Sequence, residues 1–267
     1  VEAALRSEAE TAGFREIRTP LFEDTRLFRR SVGEATDVVE KEMYTFKDRG
    51  GRSVTLKPEG TAGAVRAYLE HGLYNSPMPV RLYYFTPCYR YERAQAGRLR
   101  EFHQFGVEEF GSALPLADAG LIALAAGTFG RLGVRGLTLK INSIGCPDCR
   151  AEYVRALRAY FTAHIGRLCE TCRSRLERSP MRILDCKNPS CAAVAAKAPR
   201  ILDYLCDECR AHFAQVRAGL DAAGVRYEVD PSIVRGLDYY TRTVFEFVSG
   251  DLGAQSTVCG GGRYDGL

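Results

Sequence analysis

The sequence predicts an α+β fold in which helices cover an antiparallel β-sheet, interrupted by one inserted segment. Three observations predict this class. Two long strand-like runs, at 81–90 and 101–111, flank a polar loop as in a β-hairpin. Further short strand-like runs and helical stretches lie on both sides of that hairpin. Between residues 145 and 215 the composition changes sharply, and eight of the ten cysteines occur there.

The individual elements follow from periodicity and from Gly and Pro breaks. Gly13 ends the first helix, and Pro58 ends a short strand. The expected elements are helices at 1–13, 60–70 and 118–132, a helix end and a strand within 37–48, the hairpin at 81–111, and strands at 14–22, 54–56, 137–142, 225–229, 242–248 and 255–259. We therefore expect a first part of the core at 1–144, a mainly helical cysteine-rich insertion at 145–215, and a second part of the core at 216–267.

Composition excludes several classes of protein. Among 267 residues, 46% are hydrophobic and 26% charged, as in ordinary soluble globular proteins. No apolar run approaches the roughly 18 residues of a membrane span, and the first residues are unlike a signal peptide. The net charge is only +4, so basic groups matter by position. Because the chain begins without Met and stops at 264–267, after a glycine-rich turn, we expect it to be part of a longer protein.

The cysteines of the insertion form four pairs with turn spacing. The pairs are Cys146 with Cys149, Cys169 with Cys172, Cys186 with Cys191, and Cys206 with Cys209. A C-x-x-C turn supplies one edge of a tetrahedral site, and two such edges form a structural zinc site. Without an export signal, disulfides are not expected. The spacing predicts structural Zn²⁺, and it leaves open how the pairs combine and whether one ion or two are bound.

The hairpin carries charge suited to an anionic ligand. Its loop and edges bear Arg90, Arg98 and other arginines, and Gln104 and Glu108 share one face of the returning strand because strand side chains alternate. Guanidinium groups beside a Gln/Glu face suit a polyphosphate next to an amine-bearing ligand. The alternative is an exposed basic hairpin with solvated charges.

Five motifs, in this order and spacing, resemble histidyl-tRNA synthetases, a family of class II aminoacyl-tRNA synthetases. They are KPEGT at 57–61, RYER at 90–93, FHQFGVE at 102–108, RGLDYY at 235–240 and GGGRYD at 260–265. The resemblance covers nearly the whole chain. It implies a class II synthetase-like antiparallel sheet flanked by helices. It further implies a cytoplasmic, homodimeric histidine–tRNA ligase that uses ATP and Mg²⁺ to form histidyl-adenylate and transfers histidine to the 3′ end of tRNA(His).

The resemblance also implies roles for single residues. Arg90 and Arg235 are expected to hold the α-phosphate from opposite sides, with Arg98 at the γ-phosphate and Glu92 at adenine. For histidine, the implied set comprises Glu59, Thr61 and Gln104 at the amine, Glu108 and Tyr240 at the imidazole, Tyr239 and Tyr264 closing the pocket, and Gly261 in its floor. On their own, Tyr239 and Tyr240 would be interpreted as core packing. The alternative for Arg98 is a mobile, solvated loop side chain.

Several points depart from the family pattern or stay open. The glycine-rich motif 3 and the anticodon-binding domain would follow residue 267, so the chain alone is expected to bind ATP poorly. Many family members lack the eight cysteines, so zinc is inferred from spacing alone. Arg167, Arg173, Arg175, Arg178 and Arg182 suit either tRNA phosphates or a solvated basic face. The alternatives to the ligase are a regulatory subunit of ATP phosphoribosyltransferase, which is a family paralogue, and a zinc-dependent nucleic-acid-binding module.

Overall fold

The structure is a computed structural model that describes residues 1–33, 36–92, 98–234, 237–250 and 257–267. The α-helices of these residues are α1 (Glu2–Thr11), α2 (Thr25–Val32), α3 (Thr61–Glu70), α4 (Pro115–Arg131), α5 (Pro147–Ala163), α6 (Glu170–Arg178), α7 (Pro189–Ala195) and α8 (Asp207–Ala222). The strands are β1 (Arg15–Glu16), β2 (Phe22–Asp24), β3 (Thr45–Lys47), β4 (Ser53–Leu56), β5 (Val80–Tyr89), β6 (Glu101–Phe110), β7 (Leu137–Ser143), β8 (Glu228–Val229), β9 (Thr241–Ser249) and β10 (Thr257–Arg263). The predicted α+β class is confirmed. None of the helices in these ranges is long and apolar enough to cross a membrane.

The predicted hairpin forms the centre of one sheet, in the order β1-β5-β6. β5 and β6 pair antiparallel from Val80 opposite Phe110 to Tyr89 opposite Glu101, and β1 joins β5 in parallel. In this register Tyr84 lies opposite Gly106. Both strands are long and mutually paired, so they form a rigid support for the side chains of the site.

A second sheet has the order β10-β9-β7-β8. β9 pairs antiparallel with both neighbours, and only the two residues of β8 pair in parallel with β7. The prediction for the last strand was wrong in its bounds: β10 contains Gly260–Gly262, which were expected to form a turn after it. Residues 255 and 256 of that prediction lie outside the described residues. The three glycines are extended because each pairs with a residue of β9.

A third, smaller sheet has the order β2-β4-β3 and is antiparallel throughout. The strand expected at 14–22 is wrong as a single element, since the structure divides it between β1 and β2. Pro20 lies in the gap, and because proline has no N–H it cannot continue a ladder of strand hydrogen bonds. The two halves therefore belong to different sheets.

The insertion has its own hydrophobic core, which includes Tyr153, Leu157, Phe161 and Ile183. α8 begins in that core with Cys209 and then enters another, where Phe213, Val216 and Leu220 pack with residues of α4, β7 and β9. One helix thus runs through the predicted boundary at residue 215. The division into 1–144, 145–215 and 216–267 stays a prediction.

Candidate active site

A cavity of about 1580 Å³ opens over the hairpin sheet and the β9–β10 pair. Eleven of the twelve predicted ligand-binding and catalytic residues line it: Glu59, Thr61, Arg90, Glu92, Arg98, Gln104, Glu108, Tyr239, Tyr240, Gly261 and Tyr264. The twelfth, Arg235, lies outside the described residues, as do Arg93 and Gly97 of the hairpin loop. Residues from both ends of the sequence therefore meet in one cavity.

Glu108 on β6 is the centre of the hydrogen bonding in this cavity. Its Oε1 accepts from the hydroxyl of Thr61 at 2.8 Å and from the phenol of Tyr84 at 2.9 Å, and its Oε2 accepts from the phenol of Tyr264 at 2.5 Å. Burial raises the pKa of Glu108 to about 7, although the three donors act in the opposite direction. Three hydroxyl groups thus fix the orientation of a carboxyl group that titrates near neutrality.

Tyr84 was missed by sequence reasoning. It lies on β5, and its ring fills the space over Gly60 and Gly106, where any added Cβ would collide with it. The sequence held part of the evidence for Tyr84. Leu82 is the strand partner of Glu108, and Tyr84 lies two residues after Leu82, so Tyr84 and Glu108 are on the same face of the hairpin. Without the register, nothing distinguished Tyr84 from the adjacent Tyr83, which faces α1 and donates to Glu10.

Glu59 lies two residues before the start of α3, and only 3% of its surface is exposed. Its carboxylate accepts from the backbone N–H groups of Thr61 at 2.7 Å and of Ala62 at 2.9 Å. Burial raises the pKa of Glu59 against the effect of these two donors. Each carboxylate oxygen has a second lone pair, so the group can cap the helix and still accept from an amine in the cavity.

Gln104 lies on the same face of β6 as Glu108, with Gly106 between them. Its Oε1 accepts from the backbone N–H of Gly60 at 3.2 Å and from the thiol of Cys88 at 3.3 Å. Burial raises the pKa of Cys88 to about 12, so this cysteine remains a thiol and can donate. Cys88 is fully buried, as expected of a small core residue. Gly60 thus connects the start of α3 to β6, and it brings Glu59 beside Gln104.

Aromatic rings form the opposite wall. The rings of Tyr239 and Tyr240 are 4.6 Å apart, and Tyr239 contacts the ring of Tyr264 edge-on at 5.9 Å. Tyr239 and Tyr240 are buried in a cluster with Ile144 and Val244, yet both line the cavity. Core packing and pocket formation were posed as alternatives, and here the same two side chains do both.

The glycines of β10 allow this wall to approach the sheet. A Cβ at Gly261 would lie 2.8 Å from the ring of Phe245, and one at Gly262 would collide with the carbonyl oxygen of Thr243. None of these glycines adopts a positive φ. Strand pairing holds them flat against β9, and this allows the close approach.

Arg263 fixes the end of β10 and with it the following residue, Tyr264. Its guanidinium pairs with Asp118 of α4 at 2.7 Å and also donates to the backbone carbonyls of Ser112 and Leu114. Both charged side chains are less than one tenth exposed. Such a desolvated, multiply bonded arginine is a rigid anchor, so Tyr264 is directed towards Glu108 by a buried ion pair.

The arginines of the hairpin lie at the other end of the cavity. The Nε of Arg90 donates to the carbonyl of Pro58 at 2.8 Å, and its guanidinium lies 5.3 Å from the centre of the Phe102 ring. Arg98 is paired with Glu92 at 2.5 Å. The sequence had left open a solvated Arg98, and the structure gives it a carboxylate partner.

The eight cysteines of the insertion form two clusters of four. Cys146, Cys149, Cys206 and Cys209 make up the junction cluster, and Cys169, Cys172, Cys186 and Cys191 make up the insertion cluster. Within each cluster all four Sγ atoms lie within 4.8 Å of one another. Tetrahedral coordination at a Zn–S distance of about 2.3 Å places sulfurs about 3.8 Å apart, and the Cys169–Cys186 pair is at 3.9 Å. The structure thus selects one of the three combinations that the sequence left open.

Helix N-termini surround both clusters. Cys146, Cys169 and Cys206 are the N-cap residues of α5, α6 and α8. The backbone N–H groups of Cys149 and Cys172 lower the pKa of Cys146 and of Cys169 to about 7. Burial raises the pKa of Cys149, Cys172, Cys186 and Cys209, so the fit to a tetrahedral four-sulfur site of the zinc type rests on the donor set and its spacing.

The comparisons with known proteins agree with this geometry. The family model described as histidyl-tRNA synthetase matches residues 1–267. The chain belongs to the histidyl-tRNA synthetase family. It is 58% identical to a histidine–tRNA ligase of Caldanaerobacter subterraneus subsp. tengcongensis and 55% identical to one of Acetivibrio thermocellus, each over all of this chain and 64% of the relative.

Solved structures of the histidyl-tRNA synthetase family share the fold. Apo histidyl-tRNA synthetase from S. aureus superposes with a TM-score of 0.77 at 43% identity, over 99% of this chain and 61% of that one. A Bacillus halodurans protein described as an ATP phosphoribosyltransferase regulatory subunit/histidyl-tRNA synthetase has a TM-score of 0.69 at 26% identity, over 98% of this chain and 70% of that one. The class II synthetase-like fold is therefore established, and the chain spans about two thirds of the length of these relatives.

Among the five insertion arginines, for which tRNA phosphates and a solvated basic face were the alternatives, Arg175 and Arg178 form ion pairs within the chain. Arg175 pairs with Asp37 at 2.7 Å and Arg178 with Glu40 at 2.8 Å. Both acidic residues precede Glu42, whose backbone carbonyl accepts from the N–H of Tyr91 in the hairpin. In this synthetase-family chain, α6 is thus tied by ion pairs to the segment beside the cavity.

Proposed function

We propose that this chain is the main part of the catalytic region of a histidine–tRNA ligase, and that the full-length protein activates histidine with ATP and transfers it to tRNA(His). The observation that carries the proposal is the environment of Glu108. A buried carboxyl group held by Thr61, Tyr84 and Tyr264 offers an acceptor with a fixed position to a ligand N–H. Together with at least 55% identity to ligases along the whole chain, it supports imidazole recognition.

Histidine would lie between the two polar groups of the cavity. Its ammonium would use the remaining lone pairs of Glu59 together with the Thr61 hydroxyl, and it would replace the Cys88 thiol as a donor to Gln104 Oε1. Its imidazole would meet Glu108 and Tyr240. A site that satisfies both ring nitrogens rejects apolar isosteres strongly, because their binding leaves buried polar groups unpaired. Tyr239, Tyr264 and Gly261 would shape the enclosure around the ring.

Activation would take place at the arginine end. The carboxylate of histidine attacks the α-phosphorus of ATP, a new C–O–P linkage forms, and pyrophosphate leaves. Negative charge builds on the α-phosphate, which Arg90 and Arg235 would neutralise from opposite sides. Arg98 would exchange Glu92 for the γ-phosphate, and Glu92 would then be available to the adenine end. Mg²⁺ would be bound with the ATP phosphates.

Zn²⁺ is proposed as a structural ion in each cysteine cluster. The four thiol groups of a cluster leave no position for water, so the ion would stabilise the insertion rather than act in catalysis. The donor set and the helix N-termini around it support this assignment. Iron in the same sulfur sites is distinguishable by its colour and by elemental analysis.

The remaining proposals concern partners and location. We propose a homodimer. The half-exposed apolar side chains of Leu21, Phe22 and Phe46, on and beside the small sheet, support it, because clustered exposed apolar groups favour association. tRNA(His), histidine and ATP are the proposed substrates, and the cytoplasm, where protein synthesis occurs, is the proposed location. The fold relationship to a regulatory subunit/synthetase at 26% identity keeps the regulatory paralogue as the second candidate.

The deciding experiment is histidine-dependent ATP–pyrophosphate exchange by the full-length protein, followed by tRNA(His) charging. The ligase exchanges and charges, whereas a regulatory subunit does neither. Arg235→Ala should reduce exchange by about 10²–10³-fold with little change in histidine affinity, because it removes charge stabilisation of the transition state. Arg226→Ala is a control for loss of an exposed arginine. A near-normal exchange rate in Arg235→Ala would contradict the role of Arg235.

A further inference from the structure

The two cysteine clusters differ in what they join. The insertion cluster takes its ligands from α6, from α7 and from the segment between them, so a metal there would link parts of the insertion only to one another. The junction cluster uses Cys146, just after β7 leaves the core, and Cys206 and Cys209, where α8 starts its return. A metal there would fasten together the two points at which the chain enters and leaves the insertion.

The junction cluster is connected to the tyrosine wall through Arg150. Arg150 follows Cys149 directly in α5, and its Nη1 donates to the backbone carbonyl of Tyr240 at 3.0 Å. The cysteine turn therefore sets the position of the guanidinium, and the guanidinium holds the peptide group that follows the Tyr240 side chain. A charged donor to a backbone carbonyl is among the stronger hydrogen bonds in proteins.

A second connection runs through Arg242. Its backbone N–H donates to the carbonyl of Gly145 at 2.9 Å, and its carbonyl accepts from Ile144 at 2.7 Å. Its φ of 50° lies in the left-handed region that residues other than glycine rarely adopt, so its neighbours hold it there. Its side chain pairs with Glu208, which lies between the two α8 ligands of the junction cluster.

We propose that the junction cluster is a metal clamp that positions Tyr239 and Tyr240 for histidine binding, with Arg150 as the positioning residue between them. The proposal rests on the histidine and zinc sites proposed above. The helix of the insertion cluster is tied elsewhere, by the ion pairs of Arg175 with Asp37 and of Arg178 with Glu40, so its ion stabilises the insertion and that contact rather than the position of the tyrosines. Two chemically identical clusters in one chain thus have different consequences when they are lost.

The first test uses Arg150→Met, which keeps all eight cysteines. In the full-length protein, we expect two zinc ions per chain by elemental analysis, unchanged ATP affinity, and a histidine Kd raised about ten-fold by calorimetry. The matched control is Arg158→Met on the same helix, whose guanidinium donates to a backbone carbonyl within the insertion, that of Glu177, at 2.7 Å. Its histidine Kd should stay within about two-fold of the wild type. A wild-type Kd in Arg150→Met would overturn the proposal.

The second test does not depend on histidine binding, so it separates this proposal from the proposed function. Hydrogen exchange of the peptide 237–244 should be faster in Cys206→Ser/Cys209→Ser, and unchanged in Cys169→Ser/Cys172→Ser, with one zinc ion lost from each. Equal exchange in the two variants, or a wild-type chain without zinc, would overturn the clamp. If the wild type fails to bind histidine while the difference in exchange persists, the proposed function is wrong and the clamp remains.

Discussion

The phenol of Tyr264 donates a 2.5 Å hydrogen bond to Oε2 of Glu108, and so joins β6 to the end of β10 across 156 residues of sequence. The contact brings together two of the five motifs by which the family is recognised. The other carboxyl oxygen of Glu108, Oε1, accepts hydrogen bonds from Tyr84 on β5 and from Thr61 on α3. Three segments thus each donate one hydroxyl group to the carboxyl group of Glu108. A displacement of any of these segments would change the position of that carboxyl group.

Tyr84→Phe tests this arrangement at the residue that sequence reasoning missed. The substitution removes a buried donor to Glu108 and leaves the ring in place over the two glycines. We expect the histidine KM in pyrophosphate exchange to rise about ten-fold, since a hydrogen bond to a charged group is worth about 1.5 kcal/mol or more. The ATP KM should change little.

Tyr83→Phe is the matched control. Tyr83 is the neighbour of Tyr84 in β5, but its phenol faces α1, where it donates to Glu10 and accepts from Arg6. The variant should lose some stability and keep the histidine KM of the wild type. Equal effects of the two substitutions on KM would mean that Glu108 does not depend on Tyr84.

Glu108→Gln tests the pH dependence of stability. Burial raises the pKa of Glu108 in the folded chain to about 7 from an ordinary value of 4.5. Its contribution to stability is therefore fully present below pH 4.5 and is lost as pH rises through about 7. Relative to the variant, the wild type should lose up to about 3 kcal/mol of unfolding free energy over this range. Urea unfolding at intervals between pH 5 and pH 8 measures the difference.

The control for that series is Glu109→Gln. Glu109 is adjacent in β6, and its carboxylate pairs with Arg81 on the other side of the sheet. A free-energy difference between wild type and Glu108→Gln that stays constant with pH would show that the carboxyl does not change its ionisation in the folded chain.

The hairpin could be predicted because it rests on local regularities of the sequence, whereas most residues of the candidate site were implied by the resemblance to the family. Alternation along a strand placed Gln104 and Glu108 on one face, and both line the cavity. The spacing of the cysteines predicted metal sites, but the choice among three combinations needed the path of α5 and α8 through space. The sequence of one cysteine pair does not determine which distant pair lies next to it in the folded chain.

The errors have a common physical origin. The glycines at 260–262 were predicted to form a turn because glycine often supplies positive φ. Here they are strand residues, since the rings of Phe245 and Tyr240 need the space that a side chain would occupy. Tyr84 was missed for the related reason that Gly60 and Gly106 make room for it. Both cases depend on tertiary neighbours, which propensity does not contain.

Gly262→Ala tests the close approach of β10. The added Cβ would collide with the carbonyl oxygen of Thr243, and it would lie 2.9 Å from the Tyr240 ring. Because a paired backbone cannot move easily, we expect a loss of about 2 kcal/mol in unfolding free energy. Gly261→Ala should cost less, since it meets only the Phe245 ring, and Gly266→Ala meets no atom within 4 Å. Urea unfolding should rank the three variants in that order, and equal stabilities would contradict the close approach.

Metal removal tests the fold of the insertion. The cysteine sulfurs belong to the hydrophobic core of the insertion, with Cys149, Cys172, Cys191 and Cys209 almost fully buried. Without a bound ion, only side-chain packing would hold the four thiol groups of each cluster together. A strong zinc chelator should therefore release about two ions per chain and abolish slow amide exchange in α6 and α7, while exchange in α4 changes little.

The control for metal removal is Cys88→Ala, which removes a buried cysteine outside both clusters. It should retain the full zinc content and the slow exchange of α6. Uniform loss of protection from chelation, in α4 as much as in α6, would mean that the insertion and the core unfold as one unit. Because α8 spans both hydrophobic cores, the exchange of its amides should divide near Phe213, with the residues before it following the metal and those after it following the sheet.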